Sequence, residues 1–266
     1  MRSHIQIPNG VLKQFRNTES NKVFYLSLKD WKIHAVTSKK LGTADDYYST
    51  DVEELLNKEI ETPYLSLANK FLEFFHDDNQ HCLQISITEE ERLKRFVKIA
   101  LCRSELARDS VVKNSYTHFL FSDQKKHDLL IESTLASIDK QFSFLNEYKM
   151  IALKNTSVTF FVVGQNCVYS IESNNYNCYV VPVSPQIALA LLPEEYGGIF
   201  LDSQDNCLGY ITHSRDVELM NLAALRYEYI FNCSFIAGAR KEELTNLQLF
   251  IKDHLDVLEN DKKQFV

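Results

Sequence analysis

His76 and His81 bracket Asp77 and Asp78, and two imidazoles with two carboxylates could by composition hold a divalent cation. The same six residues, from His76 through Asn79 and Gln80 to His81, also read as a polar loop closing a helix, where such side chains simply meet solvent. A second run with chemical content is Arg103-Ser104-Glu105-Leu106-Ala107-Arg108-Asp109. Arg103 and Glu105 stand two apart and cannot face each other on a helix, whereas Arg108 reaches Ser104 or Glu105. One reading is an ion-paired helix; the other turns Arg103 into a cleft to meet an anion.

His34, His118, His127, His213 and His254 have no partner at a metal-ligand spacing and read as ordinary core or surface histidines. Cys82, Cys102, Cys167, Cys178, Cys207 and Cys233 include no C-x-x-C pair, so small buried hydrophobes in a reducing compartment are expected, not a zinc site or a disulfide framework. Phe71, Phe74, Phe75, Phe142 and Phe144 read as packing, and Phe119-Leu120-Phe121 as the one aromatic segment that could line a groove. The chain carries no P-loop, no dinucleotide glycine fingerprint, no nucleophile elbow and no H-E-x-x-H. The R-x-x-x-x-H pattern of a metal-free helical ribonuclease is also missing from the helices.

The elements that must position such groups follow from periodicity. Val23 to Leu28 and Ile33 to Val36 predict a β-hairpin. Thr50 to Glu53 matches a capping box, and Val52, Leu55, Leu56 and Ile60 continue it as one helix face until Thr62-Pro63 starts another helix, with Leu65, Ala68, Leu72 and Phe75 buried. A second box, Thr88 to Glu91, opens a helix whose stripe is Leu93, Phe96, Val97, Ala100 and Leu101. Residues 125 to 150 predict a further helix with Leu129, Leu130, Leu135, Ile138, Phe142 and Leu145 inward.

The character changes near residue 155. Ser157 to Val163, Cys167 to Ile171 and Asn177 to Val183 predict an antiparallel meander; Ser184-Pro185 then introduces a short helix over Ile187 to Leu192. Ile199 to Leu201 and Gly209 to Thr212 read as short strands, and residues 215 to 234 and 240 to 259 as the last two helices. Seven glycines and five prolines in 266 residues argue for long helices over a turn-rich sandwich. The class is therefore α+β: helical middle and C-terminal segments on an antiparallel meander, with an N-terminal hairpin, in one domain over residues 1 to 266. No stretch approaches a membrane span and no signal peptide opens the chain, so a cytoplasmic protein is expected. The formal charge of -7 counts against broad phosphate binding while leaving room for a local basic face.

Short landmarks run in one order along the chain: Ile-Gln-Ile-Pro-Asn-Gly-Val-Leu-Lys-Gln-Phe at 5 to 15, Tyr47-Tyr48-Ser49 before Glu53, Glu61, Arg103, the turn Gly164-Gln165-Asn166-Cys167, Pro182-Val183-Ser184-Pro185 and Asn221. Together they resemble the domain-of-unknown-function family 4238, a bacterial family, over residues 4 to 235. Pro8, Leu12, Lys13 and Phe15 fit its opening pattern; Ile5 takes the place of its histidine, with His4 one residue earlier. Asn166 matches its Ser-Asp-Asn-Pro turn, with Gln165 in place of the acid. The resemblance implies a polar centre with Glu61, Arg103, Gln165 and Asn166 as catalytic candidates and His4 and Asn221 as substrate-binding ones. Imidazole, carboxylate and guanidinium together suit metal-assisted hydrolysis of a phosphate-containing or nucleic-acid substrate, in phage defence or as a toxin. A divalent metal would then be the cofactor, and a nucleotide or nucleic acid, not a membrane, the partner. The other reading is a binding or regulatory module whose polar landmarks stabilise the fold. Oligomeric state is not legible in the residues.

Overall fold

Ile187, Leu189 and Leu191 pack into one apolar cluster while Ala188 and Ala190 pack into another, so alternate residues of a single run serve opposite layers. That is the signature of a central strand covered on both faces. In the computed structural model, which describes residues 2–4, 6–45, 47–77, 85–103, 122–173, 176–197 and 208–265, this run is strand β9 (Ile187–Pro193). The helix expected there is overturned because the run has no polar face for solvent. Ser184 does not cap a helix; its hydroxyl accepts from Gln186 N at 3.3 Å in the two-residue turn that joins β9 to its neighbour.

The strands, numbered along the chain, are β1 (Arg2–His4), β2 (Val23–Ser27), β3 (Ile33–Val36), β4 (Thr43–Asp45), β5 (Tyr148–Asn155), β6 (Val163–Gly164), β7 (Tyr169–Ser173), β8 (Tyr176–Ser184), β9, β10 (Leu208–Ile211) and β11 (Phe235–Gly238). The helices of six residues or more are α1 (Asn9–Gln14), α2 (Thr50–Leu56), α3 (Thr62–His76), α4 (Ile87–Cys102), α5 (Asp123–Gln141), α6 (Ser214–Ile230) and α7 (Lys241–Phe265). A five-stranded sheet has the order β10-β5-β9-β8-β7, antiparallel except for β10 beside β5. A four-stranded antiparallel sheet has the order β3-β2-β11-β6, and β1 pairs with β4. The fold is α+β, with the hairpin β2–β3 as expected.

One face of the five-stranded sheet, with Met150, Ala152 and Val181, packs among side chains of α1 to α4. The other, with Val180 and Tyr169, packs among those of α6 and α7. Of the expected meander, the second and third runs pair as β7 and β8, but Ser157 to Val162 forms no ladder. Side chains satisfy its backbone instead: Asn155 Nδ2 donates to Thr159 O at 2.7 Å, Glu243 Oε1 accepts from Phe160 N at 3.1 Å, and Asn221 takes both Phe160 O and Val162 N. β11 is a strand in the gap between the two expected C-terminal helices. It starts after Asn232, whose φ of 58° ends α6.

Both capping boxes are real helix starts displaced upstream. Ser49, not Thr50, caps α2 by accepting from Val52 N at 3.4 Å. Ser86, not Thr88, forms the reciprocal box with Glu89: Ser86 N donates to Glu89 Oε2 at 2.8 Å and Glu89 N to Ser86 Oγ at 3.2 Å. Thr62-Pro63 does not interrupt the preceding helix. Asn57–Glu61 widens into a π-turn that carries α2 into α3, and this register accommodates the N–H that Pro63 lacks. α5 ends at Gln141, short of 150, because Ser143–Glu147 tightens into a 3₁₀ turn and β5 begins at Tyr148. Leu129 is 40% exposed, whereas Ile131 and Ile138 are buried and Leu135 packs against the core. The strand expected at Ile199 to Leu201, and the segments holding Glu105, Arg108, Phe119, Phe121, Asp78, His81, Cys82 and Cys207, lie outside the described residues.

Candidate functional site

Arg103 is the residue that closes the C-terminus of α4, where its N–H bonds Ile99 O at 3.0 Å and its side chain leaves the helix axis. Its Nη1 donates to Glu61 Oε1 at 3.1 Å. Glu61 is the last residue of the π-turn, the place where the α2–α3 backbone is wound loosest. Arg103 is only 2% exposed while Glu61 is 19% exposed, so the pair has one end in the core and the other at a cleft. The N-terminal segment completes the arrangement: Gln6 Nε2 donates to Arg103 O, and the Tyr48 ring lies 5.7 Å from the guanidinium. Burial works against the charge on Arg103, but Tyr48 and Glu61 outweigh it and hold its pKa above the ordinary value. Burial likewise pushes the Tyr48 phenol up despite the nearby guanidinium.

A cleft of about 250 Å³ opens beside this pair, lined by Pro8, Asn9, Gly10, Tyr48, Glu53 and Glu61 among others. A Cβ on Gly10 would lie 2.7 Å from Leu65 Cδ1, so glycine lets α1 approach α3 closely. The opening landmark and the Glu61 helix therefore do converge. Tyr47-Tyr48-Ser49 pins the neighbouring helix: Ser49 N donates to Asp128 Oδ1 at 3.0 Å, Gln124 Nε2 donates to Tyr48 O at 3.0 Å, and Tyr47 stacks on His127 at 4.3 Å.

Gln165, Asn166 and Asn221 do not line this cleft. His4 sits in β1 opposite Thr43, and its side chain lies outside the described residues. Gln165 Oε1 accepts from Ser234 N at 2.6 Å, and Gln165 N donates to Phe235 O at 3.2 Å, so the residue ties the turn to β11. Asn166 is fully buried and its N–H reaches both carboxylate oxygens of Glu228, at 3.1 and 3.2 Å. Asn221 is the two-point clamp on residues 160 to 162, with Oδ1 accepting from Val162 N at 3.0 Å and Nδ2 donating to Phe160 O at 2.8 Å. Convergence of all five residues is thus corrected to one pair, Glu61 and Arg103, with Gln165 and Asn221 as side-chain braces elsewhere and the Asn166 backbone N–H on Glu228. Cys167 lies between the two sets: burial raises its thiol pKa, Glu228 and Glu61 raise it further, and Arg103 opposes them.

Glu228, which sequence reasoning missed, is the strongest polar feature of the β-half. It is 1% exposed, and a Cβ on Gly164 would come within 2.0 Å of its Oε1, so only glycine lets the turn lie on the carboxylate. The signal was present in α6, where Asn221, Ala224, Leu225 and Glu228 share one face at helical spacing and two of the four are polar. Glu243 and Arg240, which hold Phe160 N and Val158 O, gave no such signal because they open α7 among other charges.

Among the described residues no group of three or more His, Cys, Asp or Glu side chains could hold a metal ion. The cleft does bring Glu53 and Glu61 together, but Arg103 is bonded to Glu61 and would compete with a cation for that carboxylate. No helix among the described residues is long and apolar enough to cross a membrane. Comparison with protein-family models, with curated proteins and with solved structures gave no match.

Proposed function

We propose that this chain is a binding or regulatory module whose polar landmarks are internal braces, with the Glu61–Arg103 cleft as its candidate site for a small polar ligand. The observation that carries this reading is the Arg103 guanidinium. The group best suited to meeting a substrate anion is buried, paired at 3.1 Å with Glu61 and set against Tyr48, so its charge is already answered inside the protein. Gln165 and Asn221 support the same reading, since each side chain is bonded to the backbone. A cleft of about 250 Å³ falls below the ~300–1,000 Å³ of sites that enclose drug-sized ligands, which argues against an enclosed nucleotide.

Family 4238, a bacterial origin and a cytoplasmic location belong to this proposal. The ordered landmarks support the first two, and Cys102, Cys167 and Cys178 as thiols suit the third.

A second reading, a hydrolase or nuclease acting on a phosphate-containing or nucleic-acid substrate, draws on Glu53 and Glu61 sharing the cleft beside a guanidinium. Thermal shift separates the two. The module reading expects divalent metals, nucleotides and short oligonucleotides to leave the melting temperature of the wild-type protein unchanged. A metal-dependent upward shift that disappears in both Glu61→Gln and Arg103→Lys would favour the enzyme.

A further inference from the structure

A second cavity, of about 490 Å³, is lined by residues of β7, β8, α6 and α7. Its size falls within the ~300–1,000 Å³ typical of small-molecule sites. Leu222, Ile230 and Leu258 contribute aliphatic wall, and Tyr179, Tyr227, Phe231 and Phe250 bring four aromatic rings to it. Three charged residues line it: Glu172, Arg226 and Asp261. Arg226 Nε donates to Asp261 Oδ2 at 2.7 Å, so these two charges answer each other. Glu172 is exposed and has no ion-pair partner among the described residues, which leaves the cavity with one unanswered negative charge.

Aromatic rings attract cations through their negative faces, and a carboxylate at the rim adds to that attraction while repelling an acid. We propose that this cavity binds a small organic cation with an apolar body, an arylalkyl amine or quaternary ammonium, the body against the rings and the cationic head toward Glu172. The site is separate from the Glu61–Arg103 cleft and stands whether or not the module reading of that cleft is correct.

The molecule carries its own reporter. Trp31, the single tryptophan of the chain, has its ring 5.6 Å from that of Tyr229 in a tilted contact, and the Tyr229 hydroxyl donates to Glu259 on the same distal part of α7 that supplies Leu258 and Asp261 to the cavity. α7 breaks at His254, with φ of -134°, so this distal part is separated from the rest of the helix by a kink.

The test is titration of the full chain at low ionic strength with benzyltrimethylammonium, 3-phenylpropylamine and the anion 4-phenylbutyrate, read by calorimetry and by Trp31 fluorescence. Both cations are expected to bind saturably with Kd of about 1 mM or tighter, and the anion at least about tenfold more weakly. Glu172→Gln, a surface change, is expected to weaken the cations about threefold, in line with an exposed ion pair, and the difference should vanish in high salt. Ala223→Phe, which fills the cavity, is expected to abolish binding while far-ultraviolet circular dichroism stays unchanged. If that variant does not fold, the Glu172→Gln comparison decides alone. The proposal is overturned by absence of saturable cation binding, by the anion binding as tightly as the cations, or by cation affinities that Glu172→Gln leaves untouched.

Discussion

The Arg103 guanidinium donates to the Glu61 carboxylate at 3.1 Å across 42 residues of sequence, joining the C-terminus of α4 to the π-turn that precedes α3. The two ends of the pair differ in exposure, and this fixes what each substitution should do. Glu61→Ala strands a guanidinium in the core and is expected to cost about 3–5 kcal/mol in urea unfolding. Arg103→Ala leaves its carboxylate partly in water and should cost less in charge, though it adds a cavity. Equal and small losses for both variants would contradict a brace.

Gly164 and Glu228 form the second brace, and here the test is steric. Gly164→Ala is expected to cost about 1–3 kcal/mol or more through overpacking on the Glu228 carboxylate. On a Glu228→Ala background the same change should cost distinctly less, because the clashing atoms are gone. A double-mutant cycle reads the coupling directly, and additivity would show that the turn is shaped by something else.

Asn221 replaces a missing strand partner for residues 160 to 162. Asn221→Ala removes both bonds and leaves Val162 N and Phe160 O without this partner, an expected loss of about 2–4 kcal/mol. Asn221→Asp keeps the acceptor for Val162 N but loses the donor to Phe160 O, so it should fall between the two. Equal stability of Asn221→Ala and wild type in urea would remove the clamp from the account.

Burial raises the thiol pKa of Cys102 to about 11 and of Cys178 to about 12, with Cys167, Tyr64 and Tyr227 also raised by burial. In the unfolded chain these groups ionise at lower pH, so above their ordinary values the folded state holds more protons than the unfolded one. Stability is then fully present below about pH 9 and falls as pH climbs toward the folded values, by up to ~1.4 kcal/mol per pH unit for each such group. Urea midpoints at pH 7, 9 and 10.5 check this. A flat profile through that window would contradict the burial of these groups.

The sequence disclosed elements wherever one physical signal acted alone. The hairpin β2–β3 followed from β-branched and aromatic residues on either side of a polar turn, and α4 from its stripe of Leu93, Phe96 and Val97. Errors arose where two signals overlapped. Ser49 and Thr50, or Ser86 and Thr88, can each cap, and the choice rests on which hydroxyl meets the N3 amide in space. The uniformly apolar β9 has no period at all, and only the presence of layers on both sides makes it a strand. Pro63 reads as a helix start, and the π-turn that carries the helix past it leaves no trace in composition.

The candidate site was legible to a similar extent. The order of the landmarks pointed to Glu61 and Arg103 meeting the opening segment, and they do. It could not separate polar residues that gather in one cleft from polar residues that hold backbone elsewhere. Gln165 and Asn221 are polar because β11 and residues 160 to 162 need side-chain partners, while Asn166 meets Glu228 through its backbone N–H. Their sequence neighbours do not reveal those partners, which lie between 59 and 69 residues away.

The most direct measurement is a denaturant double-mutant cycle on Glu61→Leu and Arg103→Met, with divalent metals and nucleotides added to each of the four proteins. A brace predicts that each single change is strongly destabilising, that the double apolar replacement recovers most of the loss, and that no ligand moves the wild-type transition. Additive effects on stability, together with a metal or nucleotide shift present in the wild type and lost in every variant, would contradict it and return Glu61 and Arg103 to catalysis.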